Sequence, residues 1–242
     1  MIYYTGDIHG NPNKILNFIN NHALSSDNTI VILGDAGLNY YCDRRDSRLK
    51  HWLNEPGITI FSIHGNHEER PYNRPDYHEA VWHGGTVYVE DKYPNLLFAK
   101  DGEIYDLEGH QAIVIGGAYS VDKYYRLNRG YNWFPSEQPD ETVKARVEEQ
   151  LSRLDWRIDL VLSHTCPQKF VPVEAFLPMI DQSTVDHSTE EWLDTIEDRL
   201  TYQNWLCGHW HIDKVVDRFR FLMDDFIILM QSQDSKGVEI CS

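Results

Sequence analysis

The apolar positions of the first seventy or so residues repeat in a regular order. Residues 2–5 are a short β-rich run ending in Gly6-Asp7, and residues 12–23 carry Ile15, Leu16, Ile19 and Ala23 at helical spacing. Residues 29–33 are a continuous apolar run ending in Gly34-Asp35, and residues 47–53 read as the next helix. Residues 58–63 form a third apolar run, closed by His64-Gly65-Asn66-His67. Three successive strand–turn–helix units predict parallel strands joined by helical crossovers.

The period then changes. Residues 86–90, 96–100, 103–107 and 111–115 are short strand-like runs, with Asp101-Gly102 and Glu108-Gly109 where hairpins would turn. These strands either extend the first sheet or begin a second. Residues 139–154 place Val143, Val147, Leu151 and Leu154 on one helical stripe. Residues 159–163 and 204–207 read as strands, 189–200 as a helix, and the stretch from Asp213 onward as two or three closing strands. The pattern predicts an α/β fold, one domain over residues 1–242, built on two sheets with helices outside. No linker, internal repeat or low-complexity tract divides it.

Composition narrows the function classes. With 22 basic and 38 acidic residues the formal net charge is −16. So acidic a chain lacks the clustered cations that grip a nucleic-acid backbone, and no stable nucleic-acid partner is expected. No apolar run reaches the ~18 residues of a membrane span, and the N-terminus has no basic-then-apolar leader. Cys42, Cys166, Cys207 and Cys241 show no C-x-x-C spacing and read as reduced thiols of a cytoplasmic protein, with Cys166 and Cys207 as small packing residues.

The candidate chemistry is positional. Asp7 and His9 follow the first strand, Asp35 the second, Asn66 and His67 the third, His164 the strand at 159–163, and His209 and His211 the strand at 204–207. Five strand ends thus bring eight oxygen or nitrogen side chains to one rim, where open α/β sheets bind ligands. Gly6, Gly10, Gly34, Gly65 and Gly208 flank them and admit tight or left-handed turns. Mixed carboxylate and imidazole donors suit manganese, iron, zinc or nickel better than calcium or magnesium alone.

Gly6-Asp7-Ile8-His9-Gly10, Gly34-Asp35, Gly65-Asn66-His67-Glu68, His164 and Gly208-His209-Trp210-His211 resemble, in order, the five motifs of the calcineurin-like metallophosphoesterases. The resemblance implies a double β-sandwich with flanking helices and a dinuclear metal centre, manganese being the first choice. One ion would take Asp7, His9, Asp35 and His211. The other would take Asp35, Asn66, His164 and His209, with Asp35 bridging and His67 as the general acid. It implies hydrolysis of a phosphorylated substrate. A phosphomonoesterase is favoured, a phosphodiesterase on a cyclic nucleotide, dinucleotide or RNA end is the alternative, and a decayed metal-binding scaffold is a third reading. In the phosphoprotein-phosphatase branch the second motif continues into an Asp and an Arg; here Leu38 and Asn39 stand there, and Asp43-Arg44-Arg45 follows.

A second cluster lies outside those motifs. Residues 116–135 read as a long loop in which Lys123, Arg126 and Arg129 mix with tyrosines and a tryptophan, a set able to meet phosphate and stack a ring. His22, His51, His78, His83, His110 and His187 read as silent, His64 as a hydrogen-bonded interior residue, and Trp52, Trp82, Trp156 and Trp192 as core.

Overall fold

A computed structural model describes residues 1–230 and 237–241. Strands β1 (Ile2–Thr5), β2 (Thr29–Ile32) and β3 (Thr59–Ser62) alternate with helices α1 (Asn13–Asn21) and α2 (Arg44–Asn54). They pair in parallel, as the repeating units predict. After β3 come β4 (His78–Trp82), β5 (Gly85–Val89) and β6 (Leu96–Ala99), then β7 (Ile104–Leu107) and β8 (His110–Ile115). Helices α3 (Lys123–Arg129) and α4 (Glu141–Arg153), strand β9 (Leu160–Ser163), helix α5 (Ser188–Glu197) and strand β10 (Asn204–Cys207) follow. The chain closes on β11 (Lys214–Val216), β12 (Phe219–Phe221), β13 (Phe226–Leu229) and β14 (Val238–Cys241).

Two sheets result. The first has the order β14-β13-β1-β2-β3-β6-β5-β4, the second β11-β12-β10-β9-β8-β7. The middle strands do both things the pattern allowed: β4 and β5 extend the first sheet antiparallel, whereas β7 and β8 open the second. Alternation along each strand sorts its side chains into two layers. Tyr4, Val31, Leu33 and Phe61 face Tyr105, Val114, Leu162 and Leu206 of the other sheet. Tyr3, Ile30, Ile32 and Ile60 point the opposite way, onto Ile15, Phe18 and Ile19 of α1 and Leu49 and Leu53 of α2. Ile113, Val161 and Trp205 meet Val143, Val147 and Leu151 of α4 and Leu193 and Ile196 of α5. Because both faces of the inner strands are covered, their sequences read as unbroken apolar runs. The architecture is α/β: a two-sheet sandwich with helices outside.

Several expectations need correction. Residues 123–129 are helical and end at Gly130 in the left-handed region (φ 67°); α3 buries none of its residues, so no apolar stripe announced it. Strand β4 was not foreseen because it is an edge strand, with Val81 81% exposed. Helix α2 begins at Arg44, capped by the Asp43 carboxylate on the Arg45 N–H at 2.8 Å. Asp43-Arg44-Arg45 is thus a helix start. The closing strands number four among the described residues, and the part of that reading that falls on residues 231–236 lies outside them. Trp52 is exposed, not core. Cys166 and Cys207 are buried, and burial pushes both thiols up, away from reactivity.

Candidate metal centre

The carboxyl ends of β1, β2 and β3 in one sheet meet those of β9 and β10 in the other. All eight side chains expected at the rim converge there. Asp7 clusters with His9 and His211, and also with Asp35 and His164. Asp35 sits between two groups: Oδ2 lies 3.7 Å from His9 Nδ1, and Oδ1 lies 3.8 Å from His164 Nε2. Asn66 Oδ1 lies 2.8 Å from His164 Nε2 and 3.1 Å from His209 Nδ1. His9 Nε2 and His211 Nε2 are 2.8 Å apart.

Two local facts say what this arrangement lacks. His164 Nδ1 donates to the Leu33 carbonyl at 2.8 Å, so in the neutral ring Nε2 carries a lone pair. That lone pair faces the carbonyl oxygen of Asn66, acceptor against acceptor. Asp7 Oδ2, fully buried, accepts no well-formed hydrogen bond among the described residues and lies 3.4 Å from His211 Nε2 and 3.6 Å from His9 Nε2. Acceptors turned on one another without protons between them fit a cation. The electrostatics agree. Burial drives His209 well below its ordinary pKa, reinforced by His164, and so keeps it in the neutral form that ligates. Burial pushes the Asp7 carboxyl up, but the His211 imidazole beside it, with His164 and His9 to the extent that they are protonated, outweighs burial and holds Asp7 below the usual carboxylate range.

Backbone strain marks the same positions. His9, Asp35, His209 and His211 have φ of 46°, 48°, 64° and 50°. Left-handed conformations cost non-glycine residues about 1–3 kcal/mol each and persist where the surrounding fold imposes them. The neighbouring glycines serve mostly another purpose. Of those expected to turn, Gly6, Gly65 and Gly208 lack a positive φ; what they provide is space. A Cβ at Gly208 would stand 2.3 Å from Asp7 Oδ1 and 2.7 Å from the Leu33 carbonyl. Gly208→Ala should therefore displace Asp7, destabilise the fold by about 1–3 kcal/mol, and lower bound metal, read by thermal unfolding and elemental analysis together. Unchanged metal content would show that Asp7 has room to move.

His67 stands beside these groups. Its N–H donates to Asp35 Oδ1 at 2.9 Å, and its Nε2 lies 3.2 Å from Asn66 Nδ2 and 3.5 Å from Arg126 Nη2. Burial lowers its pKa, and the Arg126 charge adds to this against the pull of Asp35. Leu38 and Asn39 are fully buried. The Asn39 side chain accepts from Lys50 and Tyr77, so it is a structural hub with no reach into the site. Arg126 comes instead from α3, its Nε held by Asp122 and its Nη1 by the Tyr40 hydroxyl at 2.9 Å. Lys123 lies over the Trp133 ring and Arg129 over Tyr125, and neither lines the two cavities at the site.

Other residues matter here that the sequence reading gave no role. The buried Glu68 carboxylate accepts the N–H groups of Gly37 and Gly65 at 3.1 and 3.2 Å, tying the loops after β2 and β3; burial and the Asp35 charge push it up to about 8. Its place directly after Asn66-His67 was the available signal. Lys14 reaches the carbonyls of Gly6 and Asp7 from beneath, at 3.3 and 3.4 Å, and no sequence spacing signals it. Ser120 receives Asn66 Nδ2 at 2.8 Å. His64 is an interior residue, its Nε2 2.8 Å from the Glu68 carbonyl oxygen, as expected. His187, read as silent, borders the larger cavity.

Strand-end carboxylates and imidazoles converging on buried oxygens describe a metal-dependent hydrolase. The sequence pattern of the calcineurin-like phosphoesterases matches residues 1–213, and the chain belongs to that family, whose members hydrolyse phosphate esters at a dinuclear divalent metal centre. A solved structure of TT1561 from Thermus thermophilus superposes with a TM-score of 0.53 over 99% of this chain and 97% of that one, at 14% identity, which speaks for the fold. A phosphopantetheinyl hydrolase from Mycobacterium tuberculosis gives a TM-score of 0.49 over 92% and 87%, at 16% identity. No curated protein sequence matches the chain. Among the described residues no helix is long and apolar enough to cross a membrane.

Proposed function

We propose that the chain is a cytoplasmic phosphomonoesterase with manganese as its first metal, before iron, zinc or nickel. Asp7, His9, Asp35 and His211 would hold one ion, and Asp35, Asn66, His164 and His209 the other. The observation that carries this reading is the Asp35 carboxylate, one oxygen turned to His9 and the other to His164. Such an orientation suits a bridge between two cations. Bound there, the pair of ions supplies positive charge for phosphate oxygens and a water acidic enough to be nucleophilic at neutral pH.

The remaining work falls to protein groups. Arg126 has two of its nitrogens engaged by Asp122 and Tyr40, which fixes the guanidinium and leaves Nη2 turned toward His67. It would donate to a non-bridging phosphate oxygen. His67 delivers the proton that the departing alcohol needs. The test is hydrolysis of mono- and bis-p-nitrophenyl phosphate by manganese-loaded protein, alongside elemental analysis. Faster turnover of the monoester with two ions per chain is the expected result; preference for the diester would replace the monoesterase by a phosphodiesterase. Arg126→Ala should leave metal content intact and cut kcat/KM by roughly 1.5–3 kcal/mol in free-energy terms, the worth of a charge-assisted contact. Unaltered kinetics would make α3 a cover for the site.

A further inference from the structure

The larger cavity over the site, about 820 Å³, runs from His67 and Asn66 toward α5 and Trp210. Its far wall is apolar, formed by Phe176, Leu177, Ile180, Val185, Trp210 and Ile212. Arg126, at the phosphate end, is the one Lys or Arg among the described residues that line it. An alcohol bearing further phosphates would find no counter-charge along that wall. The acids there are mostly engaged: Asp122 by Arg126, Glu174 by Lys214, and Asp186 by Gln138 and the Ser188 N–H.

Glu190 is different. It lies in the first turn of α5 and is 3% exposed. Its Oε1 accepts from the Thr165 hydroxyl at 2.7 Å, while its Oε2 is buried with no partner among the described residues. An acceptor buried without a donor is costly, and a ligand that brings the donor relieves that cost. Resting on the phosphoesterase reading above, we propose that Glu190 sets specificity, accepting a hydrogen bond from an N–H or O–H group carried by an otherwise apolar leaving alcohol. The substrate class is then a phosphate ester of a neutral or cationic alcohol, and neither a polyphosphate nor a nucleic-acid end.

The test uses alkyl phosphates from ethyl to hexyl, each compared with its ω-hydroxy and ω-amino counterpart, on the full metal-loaded chain. At the matching length the wild type should favour a donor-bearing ester about 10- to 100-fold in kcat/KM. Glu190→Leu should bring that ratio close to one. Glu190→Gln, which keeps a neutral acceptor, should retain a preference for hydroxyl and lose one for ammonium. Thr165→Val removes the partner of Oε1 but not the acceptor, and should leave the ratio as in the wild type, separating recognition by Oε2 from the local hydrogen bond of Oε1. No preference at any length in the wild type would overturn the proposal, as would equal losses on plain and donor-bearing esters in Glu190→Leu. Failure to hydrolyse every ester in the series would instead overturn the phosphoesterase reading on which the proposal stands.

Discussion

Asp35→Asn should release both metal ions and lower phosphate-ester hydrolysis by about 10³-fold or more, the scale of the 3–5 kcal/mol lost when one partner of a buried charge set is removed. One oxygen of Asp35 faces His9 and the other His164, so a neutral amide weakens both groups at once. The amide nitrogen would also turn a donor toward one imidazole lone pair. Thermal unfolding supplies a second readout. Metal at a hundredfold excess over its dissociation constant stabilises the wild type by about 2.7 kcal/mol, or about 5–10 °C in a chain of this size. Asp35→Asn should unfold at the same temperature with and without metal. Chelation should silence the wild type reversibly. A metal-free preparation turning over at the wild-type rate would refute the reading of the site, and a variant losing one ion alone would deny Asp35 its bridging place. His164→Ala and His211→Ala should each deplete one ion more than the other.

His67→Ala should keep both ions and lose about 10²–10⁴-fold on an alkyl phosphate, with a much smaller loss on p-nitrophenyl phosphate. An alkoxide must receive a proton to leave; p-nitrophenolate departs without one. The donors around His67 Nε2 and the lowered pKa favour the neutral ring in the free protein, so this role requires that the anionic phosphate, once bound, favours the protonated form. The His67 backbone N–H is tied to Asp35, which holds the residue against the metal groups, while its ring lies between Asn66 and Arg126. With Leu38 where the related branch has a carboxylate, the acid of that loop beside the ring is Asp35, its Oδ2 3.8 Å from Nε2, and Arg126 from α3 stands 3.5 Å from the same atom. Equal losses on the two leaving groups would remove the general-acid role. Loss of metal in His67→Ala would make His67 a ligand.

Much of this protein is legible in local pattern. Apolar runs at 29–33 and 58–63, each ending in a glycine and a polar side chain, predicted buried parallel strands and placed Asp35, Asn66 and His67 at their ends. Periodicity of two or about 3.6 residues records which face of an element is covered, and the central strands β1, β2, β3, β8, β9 and β10 are covered on both faces. Where burial is missing, the record is missing too. The exposed helix α3 read as a loop and the edge strand β4 went unread, because neither carries a stripe of buried residues.

What the sequence determined by itself was the set of elements facing the core and the donor types at five strand ends, since both are written in residue spacing. The tertiary structure alone decided what those donors meet. His164 and His209 belong to the second sheet, yet stand against Asp35, Asn66 and Asp7 of the first. Arg126 reaches His67 across 59 positions of chain, while Lys123 and Arg129 on the same helix settle on aromatic rings. Gly208 is required by the Asp7 carboxylate that its missing Cβ would strike, and Glu190 keeps an idle oxygen because no neighbouring element among the described residues brings it a donor. Packing two sheets face to face fixes these distances, and contacts between residues so far apart along the chain leave no periodic trace in it.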